Sequence, residues 1–420
     1  MIYTLKQKFV DNLLVFMLVM STGGLLFVFN RNELYLVFFG ILIFAYIFFG
    51  KKLNSSLVNS SIITLVTISS LFIINYIFAI NTQADSKYLY YLMIISISIF
   101  VLNYFKNNRN YNILIERIYS VMKIIMIHSV LNFMAFFVIK NHLAIITSNY
   151  HECETFMNVF FYTTERGIVN MFGLEFCRNQ GVFWEPGVLQ GFLNMFFFLE
   201  AFIIKKRKGL LLLTAIAILS TYSTTGLALL LVQGIVYLFS EFKTNKFVVP
   251  VVLLLSVPVY MVFSLNVEEK VQGEKEASFQ KRLFDLTQPL FIAIEHPLTG
   301  IGLDIDEFQK MRKEFYFSSP ALRSLQEKVG VESKTLGTDK GSSNSIMFLF
   351  AAMGFPTAIL LLSMLFKQQI ITEKKWLWMV IMIVSVMSEP LLLRPFFFIF
   401  IVSGFNQVFY KITSHKTQLS

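Results

Sequence analysis

The residues that could do chemistry fall in a few short segments. The first, Arg178-Asn179-Gln180-Gly181-Val182-Phe183-Trp184-Glu185-Pro186-Gly187, puts a guanidinium and a carboxylate at the head of an apolar block. Such groups are costly at the edge of hydrocarbon unless they are paired or face a cavity. Pro186 suits a first helical turn and Trp184 a membrane interface, so a plain helix start explains those two and leaves Arg178 and Glu185 unexplained. Arg178 offers a planar fork of donors to an anion. Glu185 could orient a hydroxyl or take its proton, provided partial burial raises its pKa. Gln180 and Trp184 are the substrate-binding candidates of the same run.

The second segment runs Lys281-Arg282-Leu283-Phe284-Asp285, then an apolar stretch at 289–294, then Glu295-His296-Pro297-Leu298-Thr299-Gly300-Ile301-Gly302. The stretch is expected to be a helix lying against the membrane, with Arg282 near its amino end, where unpaired backbone amides favour a phosphate or diphosphate. His296 is an alternative base, although a His-Pro step also suits a turn. Gly300 and Gly302 mark a tight turn, not a nucleotide fold, because no strand and no amphipathic helix flank them. The third segment, Gly341-Ser342-Ser343-Asn344-Ser345, reads as a helix cap that could also orient sugar hydroxyls, with Asn344 the candidate. Thr225, in the polar run Ser220-Thr221-Tyr222-Ser223-Thr224-Thr225-Gly226, and Arg394, which with Glu389 brackets a short turn, complete the binding candidates.

The elements that must position these residues are apolar helices. Of 420 residues 55% are hydrophobic and 15% charged, with 47 Phe, whereas a soluble globule carries about a quarter of its residues as charge. Windows such as 13–29, 34–49 and 57–80 hold no Lys, Arg, Asp or Glu, and approach or exceed the roughly 20 residues that cross a bilayer. The chain reads as an all-α, polytopic integral membrane protein. About twelve spans are consistent with length and charge, near 11–29, 34–50, 57–80, 88–104, 113–139, 184–204, 209–224, 226–242, 247–265, 344–366, 376–391 and 395–410. The basic clusters Lys51-Lys52, Lys205-Lys206-Arg207-Lys208 and Lys374-Lys375 then fall on the cytoplasmic side, as do both termini. Because the net charge of +10 is divided among these inter-span clusters, nucleic acid is not an expected partner.

Residues 1–420 therefore form a single membrane domain with two outer excursions, a first periplasmic loop at 140–183 and a large one at 266–343 with interfacial helices. The large loop holds 11 Lys or Arg and 13 Asp or Glu, unlike the basic inner loops, and ligand binding is one reason for its mixed charge. Cys153 and Cys177 both lie in the first loop, where an oxidising compartment would let them pair as a disulfide. Asp304-Ile305-Asp306 could hold the divalent ion of a nucleotide-sugar enzyme, but on this topology it faces away from cytoplasmic nucleotides. His128, His142, His151, His296 and His415 form no close cluster. The expected chemistry uses no metal and no cofactor.

In order along the chain, the Arg178–Gly187 run, the Ser223-Thr224-Thr225-Gly226 turn, Arg282, the His296–Gly302 run, and Ser343-Asn344 followed by Gly354 within a span resemble the bacterial O-antigen polymerase and O-antigen ligase superfamily. The likeness covers residues 170–366; the front 140 residues match only as generic helices. It implies a membrane glycosyltransferase of GT-C type architecture in the inner membrane, its active site facing the periplasm. The donor would be a glycan on an undecaprenyl pyrophosphate carrier, and the transfer inverting and metal-independent. A polymerase passes the glycan to another lipid-linked repeat unit, with a chain-length regulator as a further partner; a ligase passes it to lipid A carrying core sugars. Ligases of the superfamily have a histidine shortly before the span that here starts at Asn344. This chain has Ser342-Ser343-Asn344 there, which favours polymerase. The resemblance and the outer-face placement make Arg178 and Arg282 the candidates for gripping the leaving diphosphate.

A flippase or other transporter is the competing class, since even-numbered spans with both ends inside also suit one. Repeated halves would favour it. None is visible, and the candidate residues gather at one membrane face.

Overall fold

The computed structural model of the chain describes residues 5–50, 55–106, 111–147, 152–156, 160–163, 168–171, 174–205, 207–241, 260, 264, 276–318, 324 and 342–419. It is mostly helical. Among the described residues eight helices are long and apolar enough to cross a membrane, and two shorter apolar ones, Lys208–Ser220 and Lys375–Ser388, accompany them. The span expected at 247–265 lies outside the described residues apart from 260 and 264. The chain divides into two compact units.

The first unit comprises Met1–Ala45, Asn112–Glu269 and Ile371–Ser385. The expected first span at 11–29 is broken: α1 (Leu5–Met20) and α2 (Leu25–Phe29) are separated by Ser21-Thr22-Gly23-Gly24. That break has a use, because Gly24 forms a bridge with Phe183 and the Gly23 carbonyl accepts the Trp184 amide at 3.1 Å. After α3 (Arg31–Phe49), which ends in the second unit, the first unit resumes with α6 (Asn112–Ile139).

The all-α expectation needs correcting in the loop that follows α6. Strands β1 (Ala144–Thr147), β2 (Glu152–Phe156) and β3 (Phe160–Thr163) form an antiparallel sheet, and β4 (Ile168–Met171) pairs with β5 (Leu174–Cys177). Four- and five-residue strands carry too little alternation to stand out in sequence; pairing holds them. Cys177 is buried in β5, whereas the Cys153 side chain, and with it the expected disulfide, lies outside the described residues.

Helix α7 (Pro186–Phe198) continues through a π-helical turn, Leu199–Ile204. A helix apolar around most of its surface belongs in the middle of a bundle, and 83% of the window across Pro186–Ile204 is buried, against 22% for α3. Phe192 stacks on Phe183 at 4.9 Å and Phe198 meets Trp378 of α13 (Lys375–Ser388) at 5.2 Å. Helices α8 (Lys208–Ser220) and α9 (Thr224–Glu241) are joined by a tight turn where two short spans were expected to meet.

The second unit comprises Tyr46–Tyr111, Lys270–Ile370 and Val386–Ser420. It holds α4 (Ser55–Phe78), α5 (Asp85–Phe105), α10 (Glu276–Glu295), α11 (Ile305–Ser318), α12 (Ser345–Phe366) and α14 (Pro395–Leu419). Helix α12 breaks at Gly354, whose φ of 72° and ψ of 169° are non-helical, and Pro356 follows. The break strands backbone groups in a buried part of the helix, where they need partners from the protein itself. Ala352 would lose its carbonyl partner because Pro356 has no amide hydrogen.

The His296–Gly302 run repairs the damage. Phe355 N donates to Pro297 O at 2.8 Å, Ile301 N to Ala351 O at 3.0 Å, and Gly302 N to Ala352 O at 2.9 Å. Asn75 of α4 adds donations from Nδ2 to Thr299 O (2.6 Å) and Ala352 O (2.9 Å), and Tyr88 OH holds Asn75 Oδ1 at 2.6 Å. Gln83 joins through Ile301 O and the Asp304 amide. The run is therefore a backbone clasp on a broken helix, a structural role that its composition does not announce.

Candidate functional site

In the first unit, Asn179 organises the run from Arg178 to Gly187. Its amide N donates to Ser220 O at 3.0 Å, and its Nδ2 to Ser129 O (2.7 Å) and Ser220 Oγ (3.0 Å). Its Oδ1 accepts from Gly181 N at 3.0 Å and Asn132 Nδ2 at 3.3 Å. One buried side chain thus ties the run to α6 and to the end of α8. Asn179→Ala should lower stability by about 3 kcal/mol, since several buried polar groups lose partners together. Thermal unfolding of the purified variant checks it; a parental melting temperature would remove Asn179 as the hub.

Arg178, half-buried, donates from Nε to the Thr221 carbonyl at 3.0 Å. That carbonyl caps α8, at the negative end of the helix dipole, so the guanidinium plane is fixed by a favourable contact. Thr225 stands in the first turn of α9, and Gly226 N donates to Ser223 Oγ at 3.4 Å. The Arg178–Gly187 run and the Ser220–Gly226 run therefore meet at the α8–α9 turn. Gln180 is fully buried, and Trp184 packs with Phe29 and Ile146 against Leu25. Glu185 is exposed at the N-cap of α7; its side chain makes no capping bond, and its carbonyl accepts from Val188 N and Leu189 N.

The second unit holds the other candidates. Arg282 is exposed on α10. Because that helix begins at Glu276, Arg282 sits beyond its first four unpaired amides, and the expected support from a helix amino end is absent. The same face of α10 that carries Pro289, Ile292 and Ala293 inward also buries Asp285 and Gln288, at three- and four-residue spacing. Ile292 joins Ile301, Phe308 and Ala351 in a cluster, so this face packs on α11 and α12.

His296 is half-buried where α10 passes into the clasp, and its carbonyl accepts the Gly300 amide at 3.2 Å. Asn344 caps α12, its Oδ1 accepting from Ile346 N (3.2 Å) and Met347 N (3.1 Å). Arg394 Nη1 donates to Tyr90 OH at 2.9 Å. Asp304 and Asp306 have a structural explanation: Lys87 Nζ lies 3.9 and 3.5 Å from them, and Asp304 Oδ1 accepts the Asp306 amide at 3.0 Å. Among the described residues no group of three or more His, Cys, Asp or Glu is placed to hold a metal ion.

Sequence reasoning missed one constellation. Asp285 Oδ1 lies 2.8 Å from Arg312 Nη2, both side chains buried, while Asp285 Oδ2 accepts from Ser343 N at 2.9 Å and Ser343 Oγ at 2.5 Å. Arg312 Nε donates to Gln288 Oε1. The available signal was a carboxylate and a carboxamide three apart, in register with the buried stripe of α10. A cavity of about 300 Å³ lined by Phe72, Ile73, Tyr76, Asp85, Tyr88, Leu89 and Leu92 contains none of the candidate residues.

Residues 209–362 match the model of a family described as O-antigen ligase. The match runs from α8 into α12, taking in Thr225, Arg282, His296 and Asn344 and stopping short of Arg178. A search of curated proteins finds no match.

Proposed function

Because the chain carries an O-antigen ligase family domain, we propose that it is a membrane glycosyltransferase that moves a glycan from an undecaprenyl diphosphate carrier to an acceptor hydroxyl at the periplasmic face of the inner membrane. The observation that carries the reading is the family match across the α10 segment, the clasp and the head of α12. In the reaction the acceptor oxygen attacks the anomeric carbon, the bond from that carbon to the diphosphate breaks, and the diphosphate leaves with the electron pair. Charge grows on the diphosphate, so donors already aimed at it lower the barrier. Arg178 and Arg282 are the candidates for that task. Glu185, exposed at the α7 cap, and His296, beside the clasp, are the candidates for proton removal.

Two acceptors divide the reading. The description of the matched family favours lipid A with its core sugars, hence ligation. Ser342-Ser343-Asn344, standing where ligases carry histidine, favours a second lipid-linked repeat unit, hence polymerisation. Incubating the purified protein with undecaprenyl-diphosphate oligosaccharide, with and without lipid A–core, separates them. Attachment only to the core means ligase, and a ladder of longer glycans without it means polymerase. No transfer to either acceptor would sink the proposal.

A further inference from the structure

Four polar residues lead into α12, and three of them are committed to backbone. Asn344 caps the helix, Ser342 Oγ accepts the Asn344 amide at 3.2 Å, and Ser345 Oγ donates to Glu389 O at 2.7 Å while accepting from Leu391 N at 2.8 Å. Ser343 is held differently. Its hydroxyl lies 2.5 Å from Oδ2 of Asp285, a fully buried carboxylate reached from α10. Arg312 of α11 faces the other oxygen, a contact of charge and not of an aligned hydrogen bond, and Gln288 holds Arg312 in turn. Burying such a pair is costly, and packed apolar side chains would serve stability as well. An ion pair whose remaining oxygen accepts from both the amide and the hydroxyl of one half-buried residue beside the helix entry points to a purpose for that hydroxyl.

A carboxylate facing a guanidinium can accept hydrogen bonds and donates none. The single proton of Ser343 is therefore directed at Asp285, and its oxygen has only lone pairs to offer a third group. We propose that Ser343 is an acceptor-only specificity contact for a hydroxyl of the receiving sugar, and that Asp285 and Arg312 are the positioning residues that set it. This rests on the glycan-transfer reading above. The bound hydroxyl keeps its proton and donates it to Ser343 Oγ, which orients the sugar ring and selects sugars bearing a hydroxyl at that point.

The test measures initial rates of the full-length protein against acceptor concentration, with lipid-linked oligosaccharide as donor and whichever acceptor supports transfer by the parent. Ser343→Ala should raise the acceptor KM about three- to tenfold, the worth of one hydrogen bond, with kcat and the donor KM near parental. Ser343→Thr, which keeps the hydroxyl, should restore the acceptor KM. Among singly deoxygenated acceptors, one should weaken the parent as much as Ser343→Ala does and weaken that variant no further. A parental acceptor KM in Ser343→Ala would overturn the inference while leaving glycan transfer intact, and so would a loss in kcat accompanied by a lowered melting temperature. Absence of transfer by the parent would bring down both.

Discussion

Gly354→Val is expected to abolish the folded protein, while Gly40→Ala in α3 leaves its melting temperature unchanged or slightly raised. At Gly354 the backbone combines a φ of 72° with a ψ of 169°, a region that essentially only glycine visits, and a β-branched residue is the least able to follow. A Cβ there would also collide with the Leu298 carbonyl and with Pro297 O, both backbone atoms of the clasp. The clasp cannot retreat without giving up Phe355 N to Pro297 O, Ile301 N to Ala351 O and Gly302 N to Ala352 O. Conformational strain of about 1–3 kcal/mol and the loss of several buried hydrogen bonds together exceed about 4 kcal/mol, a large part of the stability of a whole domain. Gly40 has open space where its Cβ would go, so alanine there gains only helix propensity. Monodisperse Gly354→Val protein in detergent with a parental melting curve would mean that the break in α12 is not held by the clasp.

What was legible beforehand follows the range of the forces involved. The start of α7 at Pro186 and the turn between α8 and α9 were readable because proline chemistry and a polar run act within a few residues. The break between α1 and α2 was not, since its warrant is the distant Phe183–Trp184 backbone. Helix α10 was expected only over 289–294 because Asp285 and Gln288 interrupt the apolar pattern. They are buried polar members of the same face, and only Arg312, 24 residues past Gln288, and Ser343 at the head of α12 make their burial tolerable. The His296–Gly302 run was singled out for its composition, yet its glycines and carbonyls answer to the broken α12.

The same distinction applies to the candidate site. Arg178 could be flagged from its cost at the membrane edge, but its anchoring by the Thr221 carbonyl depends on Asn179 tying three chain segments together. Glu185, read from sequence as a weaker candidate for base or hydroxyl orientation, stands exposed at the head of α7, where its place follows from the local Pro186 helix start.

Arg282→Ala should lower glycan transfer about a hundredfold while leaving the melting temperature at the parental value. The two halves of that prediction have different sources. Arg282 is exposed on α10, so its removal opens no cavity, and surface changes of that kind usually stay within about 0.5 kcal/mol. If its guanidinium meets the leaving diphosphate, loss of one preorganised donor costs about 3 kcal/mol in the transition state, hence the hundredfold. Arg282→Lys should recover only part of the rate, because an ammonium replaces a planar fork by a point charge. Arg178→Ala should match the catalytic loss but also cost about 1 kcal/mol of stability, since its Nε holds the Thr221 carbonyl. Initial rates at saturating acceptor, set beside melting curves, read both quantities. Parental turnover in Arg282→Ala would remove it from the diphosphate; a matching collapse of stability and rate would recast it as a residue that holds α10 in place.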